Sequence, residues 1–163
     1  MKADWILGSN EPVVDRHKSH IHEDAARFLA PTLYRVESKG RPFIVETVEF
    51  DSTVGKSVCV ETTDADEIVY AQRQGRRGLS RFVKNREAEP TDAVTVVLKK
   101  DSREDYYVLI AAWCGATAEK EPWDPNIRDP DELFRAQDFW ASHALIWGSE
   151  PIVPGTETAV CPW

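Results

Sequence analysis

The chain has 163 residues, 42% of them hydrophobic and 29% charged, with a formal net charge of -8. That length predicts one globular domain with a substantial core. The charge excludes general affinity for nucleic acid, because phosphate repels such a surface unless a local patch reverses the sign. No window of about 18 apolar residues exists, and the opening MKADWILGSNEP has no leader-like apolar core, so the reading is a soluble, cytoplasmic protein with no membrane contact. Cys59, Cys114 and Cys161 are dispersed, which suits a reducing compartment and argues against a zinc ribbon or disulfide framework.

Taken in order, residues 1–18 read as an arm whose Trp5, Ile6 and Leu7 dock on the body. The run SHIHEDAARFLA, Ser19 to Ala30, has helical spacing, with Ser19 as N-cap and Pro31 as the stop. Short runs rich in Val, Ile, Thr and aromatics follow. Phe43–Phe50, Ser57–Thr62 and Glu67–Ala71 are predicted strands, and Val94–Lys99 with Tyr106–Trp113 form the strongest pair. Both faces of that pair are apolar, which predicts a hairpin in the middle of the sheet. The proline-rich segment from Gly115 to Pro130 is an extended connection. Asp129 and Pro130 then start a helix predicted to run to Trp147 and stop at Gly148, with Leu133, Phe134, Trp140, Ala144, Leu145 and Trp147 on its apolar face. Residues 149–163 are a surface-hugging tail. The order of elements predicts an α+β fold: a mainly antiparallel sheet of about five strands with an N-terminal and a C-terminal helix, in a single domain whose core spans 19–148.

The sharpest local feature is RQGRRGLSRFVKNR, from Arg73 to Arg86, which carries Arg73, Arg76, Arg77, Arg81, Lys84 and Arg86 without an acidic residue. Cations at that density can neutralise several phosphates, and guanidinium grips one bidentately. Ser80 and Asn85 add neutral hydrogen-bond groups. The plain alternative is a solvated loop whose charges pair with Asp64, Asp66, Glu67, Glu87 and Glu89 on either side. This stretch is expected as a loop or short helix at a sheet edge, directly before the central strands. His143 is a second candidate, as a general acid or base on the last helix. Its alternative is a helix-terminal histidine bonded to the backbone.

The segments EIVYAQRQGRRGLSRFVKNREAEPT, VTVVLKK, YYVLIAAWCGATAEKEPWD and FWASHALIWG resemble small toxin-type ribonucleases of the barnase, colicin and RelE grouping. The resemblance covers roughly residues 67–148 and is thematic, since that grouping has no strict shared motif. It implies metal-independent RNA cleavage through the 2′-hydroxyl, with no cofactor. His143 would be the acid or base, and Arg77 and Arg81 would stabilise the phosphorane. Arg73, Arg76, Ser80, Lys84 and Arg86 would hold RNA, and a protein antitoxin is an implied partner. The long final helix and the acidic net charge depart from that pattern. A second reading is a noncatalytic binding, adaptor or neutralising module whose acidic surface meets a basic partner. A third rests on LYRV at Leu33–Val36, FDST at Phe50–Thr53, and Glu87 with Glu89, which are similar to the Arg, Ser-Thr and Glu-x-Glu elements of ADP-ribosyltransferases.

His17, His20 and His22 do not converge on one helical face, and no fourth ligand stands near, so a metal site is not expected. Trp113, Trp140 and Trp147 read as core. Trp123 either stacks on a base or pins its loop.

Overall fold

A computed structural model describes residues 13, 14, 20–102 and 106–163. The arm residues Trp5, Ile6 and Leu7, the cap Ser19 and His17 lie outside the described residues. In chain order the elements are β1 (Val13–Val14), β2 (His20–Ile21), α1 (Glu23–Ala26), α2 (Leu29–Arg35), β3 (Phe43–Glu49), β4 (Gly55–Ser57), β5 (Cys59–Glu61), β6 (Ile68–Gln72), β7 (Leu79–Val83), β8 (Glu89–Thr91), β9 (Ala93–Lys100), β10 (Tyr107–Cys114), α3 (Pro130–Ser142) and β11 (His143–Ile146). The fold is α+β with mostly antiparallel pairing, as the sequence indicates. The strands outnumber the expected five and lie in more than one sheet. The chain collects into two compact units, Met1–Ser57 with Pro90–Thr117, and Val58–Glu89 with Ala118–Trp163.

In the first unit the sheet order is β1, β10, β9, β3, with β2 also beside β10. The hairpin of β9 and β10 is central, and Ala93 through Leu98 are all buried. Alternation sends Ile44 and Val48 of β3 and Val94, Val96 and Leu98 of β9 to one face, and a register shift between Leu109 and Ala111 brings Leu109 and Ala112 of β10 to that face as well. There they form a core with Ala25 of α1 and Leu33 of α2. Each fully buried aliphatic side chain of this kind contributes roughly 1.5–3 kcal/mol.

The expected helix over Ser19–Ala30 is two short helices instead, and Pro31 sits inside the second. Proline is tolerated there because it is the third residue of α2, and the first N–H groups of a helix have no intrahelical acceptor to lose. Thr32, one residue later, bonds the Phe28 carbonyl with both its N–H, at 3.0 Å, and its hydroxyl, at 2.6 Å.

The second unit holds a sheet ordered β5, β11, β7, β6. α3 begins as the sequence predicts: the Asp129 side chain accepts from the Glu132 N–H at 2.8 Å, and Pro130 occupies the first turn. It ends earlier than predicted. His143 is extended, at φ -130 and ψ 152, and His143–Ile146 is a strand between β5 and β7. Pairing with β5 on one side and β7 on the other outweighs the helical tendency of Ala144 and Leu145. The predicted apolar face of α3 also changes. Glu132, Ala136 and Trp140 turn inward, whereas Phe134 is 69% exposed.

Candidate functional site

The stretch from Arg73 to Arg86 is neither a loop nor a helix beside the central hairpin. It is a turn followed by β7, an inner strand of the second unit's sheet. The turn closes with the Arg76 N–H on the Arg73 carbonyl at 3.1 Å, and Gly75 takes φ +77, a conformation open to glycine at little cost. Gly78 carries Trp123 against its backbone; a Cβ there would lie 2.1 Å from the indole Cγ. Trp123 therefore pins the turn.

Period-two alternation then sorts the side chains. Arg81 and Val83 share one face of β7, and Ser80 and Phe82 share the other. The first face gathers Val60, Val83, Ala144 and Ile146, while the second gathers Ala71, Phe82 and Leu145 under Trp140 of α3. Because Ala144 belongs to the first face, its neighbour His143 falls on the second, with Leu145. Arg81 and the imidazole of His143 are thus on opposite faces, although the Arg81 guanidinium reaches the backbone carbonyl of His143 at 2.9 Å.

Most cations of the stretch are engaged within their own unit. Arg73 is 13% exposed; it donates to Ser80 Oγ at 3.0 Å and Glu150 Oε2 at 2.8 Å, and pairs with Glu121. Ser80 is fully buried. Arg81 also donates to Thr62 Oγ1 at 2.9 Å. Lys84 lies 4.9 Å over the Trp147 ring and 3.9 Å from Glu157. Arg86 pairs with Asp66 at 3.1 Å and with Glu89. The Thr63 N–H and then the Arg86 guanidinium hold the Asp66 carboxyl below its ordinary range, and Glu89, then Asp66, raise the Arg86 pKa. Arg76, Arg77 and Arg81 have no ion pair among the described residues, and Arg77 is exposed.

His143 behaves as a residue closing a helix. Its ring stacks on Phe139 at 3.9 Å and 6°, and Nδ1 lies 2.9 Å from the Phe139 carbonyl and 3.1 Å from Ser142 Oγ. Donation from Nδ1 to that carbonyl leaves the lone pair on Nε2. Cys59, on the same sheet face, is pushed up to about 12 by burial and then by the charge of Glu121, so it stays a thiol rather than a nucleophilic thiolate.

No protein-family model matches this chain, and no curated protein does. One solved structure is similar. It is the crystal structure of a conserved hypothetical protein from Toxoplasma gondii ME49, 10% identical, with a TM-score of 0.55 over 88% of this chain and 98% of that one. The likeness is one of fold.

The remaining candidates stand apart from any shared chemistry. Arg35 of the LYRV run donates to the Glu49 carbonyl at 2.5 Å and lies over the Phe50 ring, while Glu89 is taken by Arg86. His20 is in β2 and His22 is the exposed residue before α1. No group of His, Cys, Asp and Glu suited to a metal ion exists among the described residues, and none of their helices is long and apolar enough to cross a membrane. What sequence reasoning misses is the pair Glu121 and Glu150 as partners of Arg73. Their separations of 48 and 77 residues leave no local signal.

The segments that touch Arg86 and Asn85 carry further acidic residues. The Arg86 guanidinium reaches the Glu61 carbonyl at 3.4 Å, and the Asn85 side chain takes the Glu67 N–H at 2.8 Å. Glu61, Asp64, Glu67 and Glu87 are exposed here without an ion pair among the described residues.

Proposed function

We propose that this chain is a noncatalytic binding module whose acidic surface receives a basic segment of a protein partner. The observation that carries this reading is the internal pairing of Arg73, Lys84 and Arg86 beside a row of exposed acids. Arg73 and Arg86 are each held by two carboxylates and Lys84 lies beside a third, which removes half of the stretch's cations from use. Glu61, Asp64, Glu67 and Glu87 of the flanking segments are exposed and present negative charge. A basic segment gains electrostatic steering from such a surface, and the gain is screened by salt.

The metal-independent ribonuclease is the competing reading. It draws support from Arg76, Arg77 and Arg81, the cations of the stretch without carboxylate partners among the described residues. It requires His143 and Arg81 to act on one phosphate, and their side chains lie on opposite sheet faces.

Two measurements separate them. Binding of a fluorescent Lys/Arg-rich peptide is expected to weaken about tenfold from about 0.05 M to about 0.5 M salt, and roughly threefold in Glu67→Gln with Glu87→Gln. Incubation with an RNA panel in EDTA is expected to leave the RNA intact, and expression to be harmless. Cleavage abolished by His143→Ala, or peptide binding indifferent to both salt and the double substitution, overturns the binding-module reading.

A further inference from the structure

β3 is the last strand of the first unit's sheet and pairs with β9 alone among the described strands. The Lys100 N–H bonds the Pro42 carbonyl at 2.8 Å, and the Phe50 N–H bonds the Asp92 carbonyl at 2.8 Å. Those two bonds set the phase of the antiparallel ladder: residues 42, 44, 46, 48 and 50 turn their backbone groups toward β9. Phe43, Val45 and Thr47 therefore turn their N–H and C=O groups outward at the open edge. Among the described residues only the far end is closed, where Arg35 caps the Glu49 carbonyl. Side chains compound the exposure, since Phe43 is 54% and Val45 37% exposed, both on the face away from α1 and α2. Sheet edges that stay monomeric carry charged side chains, lysine above all, or proline, a bulge or a covering segment. Phe43–Glu49 (FIVETVE) has Glu46 and Glu49 but no lysine and no proline, and its pairing with β9 is unbroken.

We infer that β3 is a self-association edge, pairing antiparallel with β3 of a second copy about a two-fold axis through Val45. The inference is independent of the binding-module reading. Three features select this partner and this register. The residues that must exchange backbone hydrogen bonds, Phe43 with Thr47 and Val45 with its own counterpart, are those whose groups point outward. The same register sets Arg41 of one protomer opposite Glu49 of the other at both ends, opposite charges in cross-strand positions. Within its own chain the Arg41 guanidinium donates to the Glu37 carbonyl at 2.7 Å and the Ser38 carbonyl at 3.3 Å and lies 3.6 Å from the Glu46 carboxylate, so the pair with Glu49 must compete with these contacts. Moving the axis one residue, to Glu46, would place two carboxylates against each other and lose the Arg41 to Glu49 match. The pairing continues one sheet across both copies and covers Phe43 and Val45, much as a strand-adding ligand covers its receptor's edge.

Sedimentation of the full chain up to about 100 μM is expected to show a reversible dimer. Val45→Lys places two ammonium groups at the axis and is expected to weaken it at least about tenfold. Val45→Pro tests the backbone ladder, because the N–H it removes is not used by β9. Arg41→Glu and Glu49→Arg should each weaken the dimer about threefold, and the two together restore it. Circular dichroism of each variant separates lost association from lost folding. A monomer at every concentration, a dimer unmoved by Val45→Lys in a folded variant, or charge exchanges that fail to rescue each other overturns the proposal; in the first case the edge is left to a strand of another protein.

Discussion

The two units each end their sheet on a strand with outward backbone groups, and treat it in opposite ways. In the second unit, β6 is covered by the chain's own tail. Tyr70 and Thr158 exchange backbone hydrogen bonds at 2.8 Å in both directions, the Gln72 carbonyl takes the Val153 N–H at 2.7 Å, and the Gln72 N–H is held by Thr156 Oγ1 at 3.0 Å. Trp163 then meets Tyr70 edge-on, with ring centroids 5.5 Å apart. In the first unit, the outward backbone groups of β3 meet only the Arg35 cap at Glu49 among the described residues. The lesson is that an edge is closed by what reaches it rather than by its own composition. IVYAQ and FIVETVE are similarly rich in β-formers, and only one has a following segment laid along it.

Removing the cover is the severest way to break this contrast. Deleting residues 150–163 strips the backbone bonds from Tyr70 and Gln72 and exposes the surfaces beneath Ile152 and Trp163. We expect a loss of about 4 kcal/mol in urea unfolding, and association through β6 that Val45→Lys does not reverse. Next in size is Arg73→Ala. Arg73 ties the end of β6 to the tail through its bridge with Ile152 and its ion pair with Glu150, and it neutralises Glu121, whose side chain is 11% exposed. Breaking such a pair from one side costs about 3 kcal/mol, and protease is expected to cut first in the tail. Arg73→Ala leaving both stability and tail protection unchanged would show that the cover holds without its latch.

The smallest effect concerns acid. Asp66 is held below its ordinary range by the Thr63 N–H and then Arg86, and Glu132 by Lys120 and then the Arg128 N–H. For a carboxylate depressed in the folded state, the stabilisation is present above the unfolded value of about 4 and is lost as pH falls through the folded value. Stability of the second unit should therefore decline below about pH 4. Asp66→Asn should flatten that decline, and an unchanged slope would place the acid sensitivity elsewhere.

How much of this was legible depended on how local the cause was. The β9 and β10 runs are long and apolar on both faces, and the Asp129-Pro130 start of α3 is written in adjacent residues, so both can be read directly. LSRFV is harder, because Ser80 and Arg81 interrupt the apolar pattern and their reasons for being in a strand, Arg73 for one and Thr62 for the other, lie elsewhere in the chain. HALI reads as the end of a helix until β5 and β7 are placed beside it. The charge reversal over Arg73–Arg86 is plain in the sequence. Its discharge is only half visible: Asp66 and Glu89 were nameable flanking partners, and they do hold Arg86, whereas Glu121 and Glu150 were not. The chemistry imagined for His143 depended on which face it occupies, and that is set by a strand nobody would draw from four residues.

The position of β11 has a consequence for the order of assembly. A nascent chain leaving the ribosome emits β5, β6 and β7 as one block, yet the strand that joins β5 to β7 is synthesised some sixty residues after β7 ends. Until His143–Ile146 emerge, the hairpin of β6 and β7 has an unpaired inner side and β5 has no neighbour in that sheet. The first unit, complete in sequence by Thr117, has no such wait. The second unit is thus the late one to close, with Phe82 and Val83 exposed in the interval, and it is where a slow step or a chaperone's grip would fall.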